Sequence, residues 1–441
     1  MRPSACLIIF ASSVLAGPVH QRFHKRYDLD HNSVPDWCHT NGDIVSCLLS
    51  ESSSSYSWTT FIASTSTQAV STPAPTSVSV TTSAVPIAKI AAATSSSSSA
   101  SSYPTGTLPD PKTWNSVNGT KWHVSTVGPI YSSTVPSMGW DNGRTSVLSN
   151  KPFWIFGDVL SLTGLQNGLS TGPAFYGTPD DILRVDMGSH TNVGNILLAP
   201  PAASDPVPQD PYPFWGLSTS NVVEVSPGVG VGFVWEIWRN TSGVGPDRGL
   251  GMYRATLSSE LPVGNRTGGL VAGPDALPVG IMTVMNAEGY VYTYTNKDGS
   301  GIVVGRAAVA DAFEADAYEF LTLKGAWVKG IPSYADAKSN YGLMGEGDGG
   351  VVTISYGQGS IMWSNYFKQY ILFTGSYGSQ MMFYASATPY GPFDGPYNIE
   401  SIMGYGVNVH PFWSPDGSHQ TLYVSSGWNN VINMYKLDFD F

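Results

Sequence analysis

Apolar and polar positions along the last three quarters of the chain fall into short runs of strand length, punctuated by Gly, Asn, Asp and Pro. Five stretches carry the pattern: "TSVLSNKPFWIFGD" (145–158), "SNVVEVSPGVGVGFVWEIW" (220–238), "IMTVMNAEGYVYTYTNKDGSGIVVGRA" (281–307), "SIMWSNYFKQYILFTGSYGSQMMFYASA" (360–387) and "VHPFWSPDGSHQTLYVSSGWNNVINMYKL" (409–437). Each holds two or three runs rich in β-branched and aromatic residues, separated by turn residues, as antiparallel hairpins do. A helical period is scarce, and "AAVADAFEADAYEFL" (307–321) is its best candidate. Five units between 109 and 441 take roughly 65 residues each, more than the ~40–50 of common propeller repeats, so long loops must decorate every unit. The pattern predicts an all-β domain over 109–441, read as a five-bladed β-propeller, with a pair of β-sandwiches as the alternative.

The first hairpin poses a chemical question. The stretch "MGWDNGRTSVLSNKPFWIFGD" (138–158) carries an aspartate at each outer end. With Ser149–Pro152 taken as the turn, Asp158 faces Gly143 and Asp141 lies two positions along on the same face. Such diagonal neighbours sit ~7–8 Å apart, and paired glycosidase carboxyls are ~5–9.5 Å apart. A slip of one residue would put the two on opposite faces. The ordinary alternative is a turn Asp and a strand-end Asp.

Before 109 the texture changes. Residues 51–108 are dominated by Ser, Thr, Ala and Pro, too poor in apolar groups to offset chain entropy, and read as a disordered O-glycosylated linker. Residues 1–16, with Arg2 ahead of "CLIIFASSVLA", read as a secretory signal peptide too short to span a bilayer. Residues 17–50 read as a propeptide, with a dibasic site at Lys25–Arg26, and a short cystine-closed segment. A disulfide between Cys38 and Cys47 is expected in an oxidising compartment. Those two thiols and His39 fall one ligand short of a zinc site, and no metal or other cofactor is expected. Asn118, Asn240 and Asn265 open Asn-x-Ser/Thr sequons, in keeping with a glycoprotein that is secreted, free or cell-wall-associated.

Composition narrows the function. Charged residues make up 12% of the 441-residue chain, and its formal net charge is −11. That balance excludes the basic surface that nucleic acid requires, and no later run is long and apolar enough for a membrane span. The chain lacks a Gly-x-Ser-x-Gly elbow, a His-Glu-x-x-His pair and dinucleotide or phosphate-loop patterns, which disfavours serine esterases, zincins, dehydrogenases and NTPases. A monomer with a polysaccharide or glycan partner is the expectation.

Other candidates have bland counterparts. Glu236, in "GFVWEIWRN", alternates onto a face with Val234 and Trp238; it is either a sugar-binding acid or an exposed strand position. His410 either orients substrate from a strand end or is a hydrogen-bonded structural histidine. Trp140, Trp215 and Trp428 are candidate stacking platforms, although most of the 13 Trp serve a core. Glu346 and Asp348, in "GEGDGG", belong to a Gly-rich turn without the ligand spacing of a calcium hand.

The pattern "WDNGRTSVL…PFWIFGD" resembles the first blade of a secreted propeller family, domain-of-unknown-function class 4185, related to endo-D-arabinanases. The matching positions are Asp141, Gly143 and "FGD" at 156–158. The resemblance continues in "MWSNYFKQYILF" (362–373), "YASATPYGPFDGP" (384–396) and "VNVHPFWSPDGSHQTLYVSSGW" (407–428), so it covers about 110–441. The chain departs from it at Val159, where the family often has Thr, and in the acid-free loop 160–177. The resemblance implies a five-bladed propeller with Asp141 and Asp158 as the catalytic pair of a glycoside hydrolase. A non-catalytic glycan-binding, lectin-like propeller is the competing function, and a structural wall protein is a third.

Overall fold

The computed structural model describes residues 103–111, 122–135, 137–162, 168–240, 243–296, 301–347, 350–353, 358–375, 380–428 and 430–440. The signal peptide, the Cys38–Cys47 pair, Asn118 and the linker as far as 102 lie outside the described residues, as does Asp348.

The all-β expectation holds. Five main sheets follow one another along the chain, antiparallel except that Tyr131–Ser132 joins the first in parallel beside Asp181–Asp186; a two-stranded pair, Met344–Gly347 with Gly350–Thr353, lies between the third and fourth. The first runs Arg144–Leu148, Lys151–Ile155, Ala174–Thr178, Asp181–Asp186. In the second, Phe214–Thr219 and Val223–Ser226 both pair with Val229–Asn240, followed by Gly243–Thr256 and Val263–Arg266. The third runs Thr283–Ala287, Tyr290–Asn296, Ile302–Ala308, Glu319–Leu321, Trp327–Lys329; the fourth runs Gln358–Ser364, Gln369–Gly375, Gln380–Ser386, Asp394–Met403. The fifth takes Asn408–Val409, Thr421–Trp428 and Val431–Phe439 from the chain's end and completes itself with Trp122–Pro129, Trp122 opposite Phe439. Both ends of the described domain are thereby stitched into one sheet.

The leading strands adjoin in order, first to second through fifth and back to first. Five apolar clusters fill the gaps between successive sheets and close the same cycle. Phe153 and Val234 share the cluster between the first two, Phe233 and Val303 the next, and Tyr294 and Leu372 the one after it. Phe373 and Val424 share the fourth, and Trp154 and Ile432 the last. Strands covered on both faces need apolar residues at successive positions, which is why "YILFTG" reads as a continuous run.

Two local expectations are corrected. The first hairpin turns on two residues, not four. Ser149 and Asn150 hold φ of 46° and 63°, the left-handed pair of a type I′ turn, and Leu148 pairs with Lys151. Pro152 lies in the strand opposite Val147. One step from a two-residue turn the facing pair exchanges no hydrogen bonds, so the missing N–H costs nothing on that side. Pairing to the next strand begins only at Phe153. The stretch 307–321 is not an α-helix. It ends one strand, makes two 3-10 turns at Val309–Asp311 and Ala315–Ala317, and returns as Glu319–Leu321 to pair with Gly305 and Arg306. Among the described residues the α-helix is Tyr334–Asn340, where the Ser333 hydroxyl accepts the Asp336 N–H at 3.1 Å.

The domain also starts earlier than Pro109. Gly106 donates to the Tyr366 carbonyl at 3.2 Å, and Tyr397 donates to the Pro109 carbonyl at 2.8 Å. Leu108 packs on the cluster between the fourth and fifth sheets.

Candidate active site

Asp141 and Asp158 sit where the first hairpin runs on into a small three-stranded sheet, Met138–Trp140, Asp158–Ser161 and Leu169–Thr171. The register brings them closer than the diagonal expected. The Asp141 N–H donates to the Asp158 carbonyl at 2.9 Å, and the Asp141 carbonyl accepts the Gly157 N–H at 2.9 Å. Two residues thus oppose one, the count of a β-bulge, a feature that re-aims side chains. Gly143 is packed against Phe156, Trp154 and Ile432, and does not face Asp158.

The two carboxyls have different surroundings. Asp141 is half-buried and accepts the Tyr405 hydroxyl at 3.1 Å. Asp158 is 5% exposed, and both its oxygens lie 3.1 Å from Nη1 of Arg239, itself buried. Burial pushes the Asp158 carboxyl up to about 6; Arg239 opposes the push and the charge of Asp141 adds to it.

Both acids line a pocket at the starting ends of the leading strands. Arg144 comes from the first sheet, Gly216 and Arg239 from the second, Met282 and Asn296 from the third, and Gln358 from the fourth. The fifth contributes through the loop before Asn408: Gly406 donates to the Gln358 side chain, and Tyr405 reaches Asp141. Arg144 is the cross-tie beneath. Its Nη1 donates to the Thr219 carbonyl at 2.7 Å and its Nη2 to the Ile281 carbonyl at 2.8 Å, joining the first sheet to the second and to the approach of the third. Burial brings its guanidinium down to about 10, and Asp141 opposes that drop. Arg144 and Arg239 escaped the sequence reading. Their signal was an Arg inside a strand-like run, in a chain with only 21 Lys and Arg.

The remaining candidates lie elsewhere. Glu236 is fully buried in the second sheet and does not line this pocket. Nη1 of Arg266 lies 2.7 Å from its Oε1, without the alignment of a hydrogen bond. Burial raises Glu236 to about 7, opposed by Arg266 and reinforced by Asp205. His410 is fully buried; its Nδ1 is 2.9 Å from the Thr145 hydroxyl and its Nε2 2.8 Å from that of Ser425. Burial takes it down to about 3, so it is a neutral tie between the first and fifth sheets, as the structural alternative has it. Trp140 is core, its ring 4.8 Å from Phe156 and 6.3 Å from Phe175. The Trp428 backbone pairs with Val431, and Trp215, half-buried, pairs with Trp238. The side chains of Trp428 and Glu346 lie outside the described residues. Asn265 is exposed on the outermost strand of the second sheet, whereas Asn240 donates to the Pro211 carbonyl at 3.0 Å.

The pocket therefore joins a raised, buried carboxyl to a more open one, amid uncharged polar groups and two arginines. Such a set can donate a proton to an oxygen and offer a carboxylate to an electron-poor carbon.

No family model matches the chain, and no curated protein matches it. Among solved structures it is similar to a candidate hydrolase from Bacteroides ovatus, with 15% identity over 68% of this chain and 85% of that one and a TM-score of 0.49. A GH43_1 enzyme from Xanthomonas citri gives 11% identity over 71% and 91%, with a TM-score of 0.42. An exo-beta-1,3-galactanase from Phanerochaete chrysosporium gives 7% identity and a TM-score of 0.41, covering 72% of this chain and 64% of the galactanase.

Proposed function

We propose that the chain is a secreted glycoside hydrolase of extracellular or wall polysaccharide, built on a five-bladed propeller whose blades are the five sheets. The closed cycle of leading strands and of apolar clusters supports the propeller reading. The observation that carries the function is the pair itself: Asp158, buried and raised to about 6, bonded through its backbone to the more open Asp141 in one polar pocket. Environments that separate two carboxyls in this way assign an acid and a base.

Asp158 is the general acid. It gives its proton to the glycosidic oxygen as the bond from that oxygen to the anomeric carbon breaks. The Asp141 carboxylate bonds to the anomeric carbon from the other side, and water, deprotonated by Asp158, releases the sugar. Furanosides of the arabinan kind are the first substrates to try, because the first hairpin resembles a family related to endo-D-arabinanases. The test is hydrolysis of a panel of arabinan, galactofuranan, galactan and xylan by the parent and by Asp158→Asn. Binding without hydrolysis by the parent would favour the lectin-like reading.

A further inference from the structure

We propose that Phe214 is the platform for a second sugar ring, adjoining the one in the pocket, so that the site recognises an oligosaccharide rather than a single sugar; this rests on the glycan-directed reading above. The placement follows from register. Phe214 pairs with Arg239 and Gly216 with Ile237, and alternate residues of a strand share a face. Gly216, Ile237 and Arg239 all line the pocket. A Cβ on Gly216 would meet Cδ of Arg239 at 2.4 Å, so the stem of Arg239 crosses that position on its way to Asp158. Phe214 is the next residue on the same face, at the start of the strand and just beyond the pocket-lining Gly216.

Its environment is unlike that of the other large rings near the site. Trp140, Trp154 and Phe156 are buried, with Phe156 stacked on Trp154 and tilted against Trp140. Phe214 is 52% exposed, and among the described residues no aromatic ring packs against it. The segment that presents it, "DPVPQDPYPF" (205–214), is stiffened by prolines, which fix φ. That segment is fastened to the neighbouring strand: Trp238 donates to the Pro206 carbonyl at 3.3 Å and Asn240 to the Pro211 carbonyl at 3.0 Å. Asp205 at its start accepts the Ala202 N–H at 2.6 Å and the Leu270 N–H at 3.1 Å. A sugar ring has an apolar C–H face and a hydroxyl edge. A flat, exposed phenyl ring on a fastened segment suits the first, and the polar pocket suits the second. A backbone fastened in advance lowers the ordering cost of binding.

The experiment measures calorimetric binding of mono- to tetrasaccharides from arabinan, galactan and xylan to the whole chain, to Phe214→Ala and to Phe214→Trp, with thermal unfolding as the folding control. The parent is expected to bind the di- to tetrasaccharides of one series about tenfold or more tighter than the monosaccharide, equivalent to ~1.4 kcal/mol. Phe214→Ala should lose that gain while holding the monosaccharide as before, and Phe214→Trp should keep it. A length-dependent gain that survives in Phe214→Ala overturns the proposal and leaves the glycan-directed reading standing. A parent that binds no member of any series overturns both.

Discussion

The backbone N–H of Asp141 donates to the backbone carbonyl of Asp158 at 2.9 Å. That main-chain bond sets the two residues side by side, closer along the strands than the diagonal expected from a turn at Ser149–Pro152. Glycosidase carboxyls ~5–5.5 Å apart act with retention and those ~6.5–9.5 Å apart with inversion.

With the Asp141 carboxylate as the nucleophile of the proposed mechanism, the released sugar should keep its anomeric configuration. Proton NMR of the first product, recorded before mutarotation, checks this. An inverted anomer would mean that Asp141 acts through a water.

Burial raises the proton affinity of Asp158, and Arg239 holds that rise in check. Its charge opposes the effect of burial, so Arg239→Gln should move the falling limb of the activity–pH profile from near 6 to higher pH. Arg239→Lys, which keeps a charge, should move it less. Profiles with unshifted limbs would show that the arginine does not act on this proton.

Two buried groups outside the site give stability a maximum on the acid side of neutrality. Glu236 is raised from 4.5 to about 7. Its proton is bound more tightly in the folded state, so its contribution is full below 4.5 and lost as pH rises through 7. His410 is lowered from 6.5 to about 3, so its contribution is present above 6.5 and lost as pH falls towards 3. Glu236→Gln should accordingly lose less melting temperature than the parent between pH 5 and 8. Parallel curves for the two proteins would contradict the assignment.

The five hairpins were legible because strands covered on both faces leave continuous apolar runs between turn residues, as in "YILFTG". The register of the first hairpin was not. Ser149–Asn150 carries a type I′ turn without glycine, and Pro152 looks like a breaker although its missing N–H is harmless where it lies. The sequence reading set Asp158 opposite Gly143, two positions from Asp141, whose N–H bonds the Asp158 carbonyl. Strand alternation set Glu236 beside tryptophans, yet it cannot say that both faces of that strand are covered; Arg266 became its partner through folding of the strand Val263–Arg266. The stretch 307–321 was the best helical candidate in a chain where helical period is scarce, and the pairing of Glu319–Leu321 with the preceding strand leaves it two short 3-10 turns. Arg239 reaches Asp158 across 81 positions of sequence, a contact that strand periods do not encode.

The proposed acid is tested most directly by release of reducing sugar from the glycan panel, followed at pH 5 for the parent and for Asp158→Asn, with binding of the same glycans measured alongside. The parent is expected to hydrolyse at least one glycan, and the variant to bind it equally well while turning over about 100- to 10,000-fold more slowly, since an amide cannot deliver the proton. Undiminished hydrolysis by Asp158→Asn would contradict the assignment.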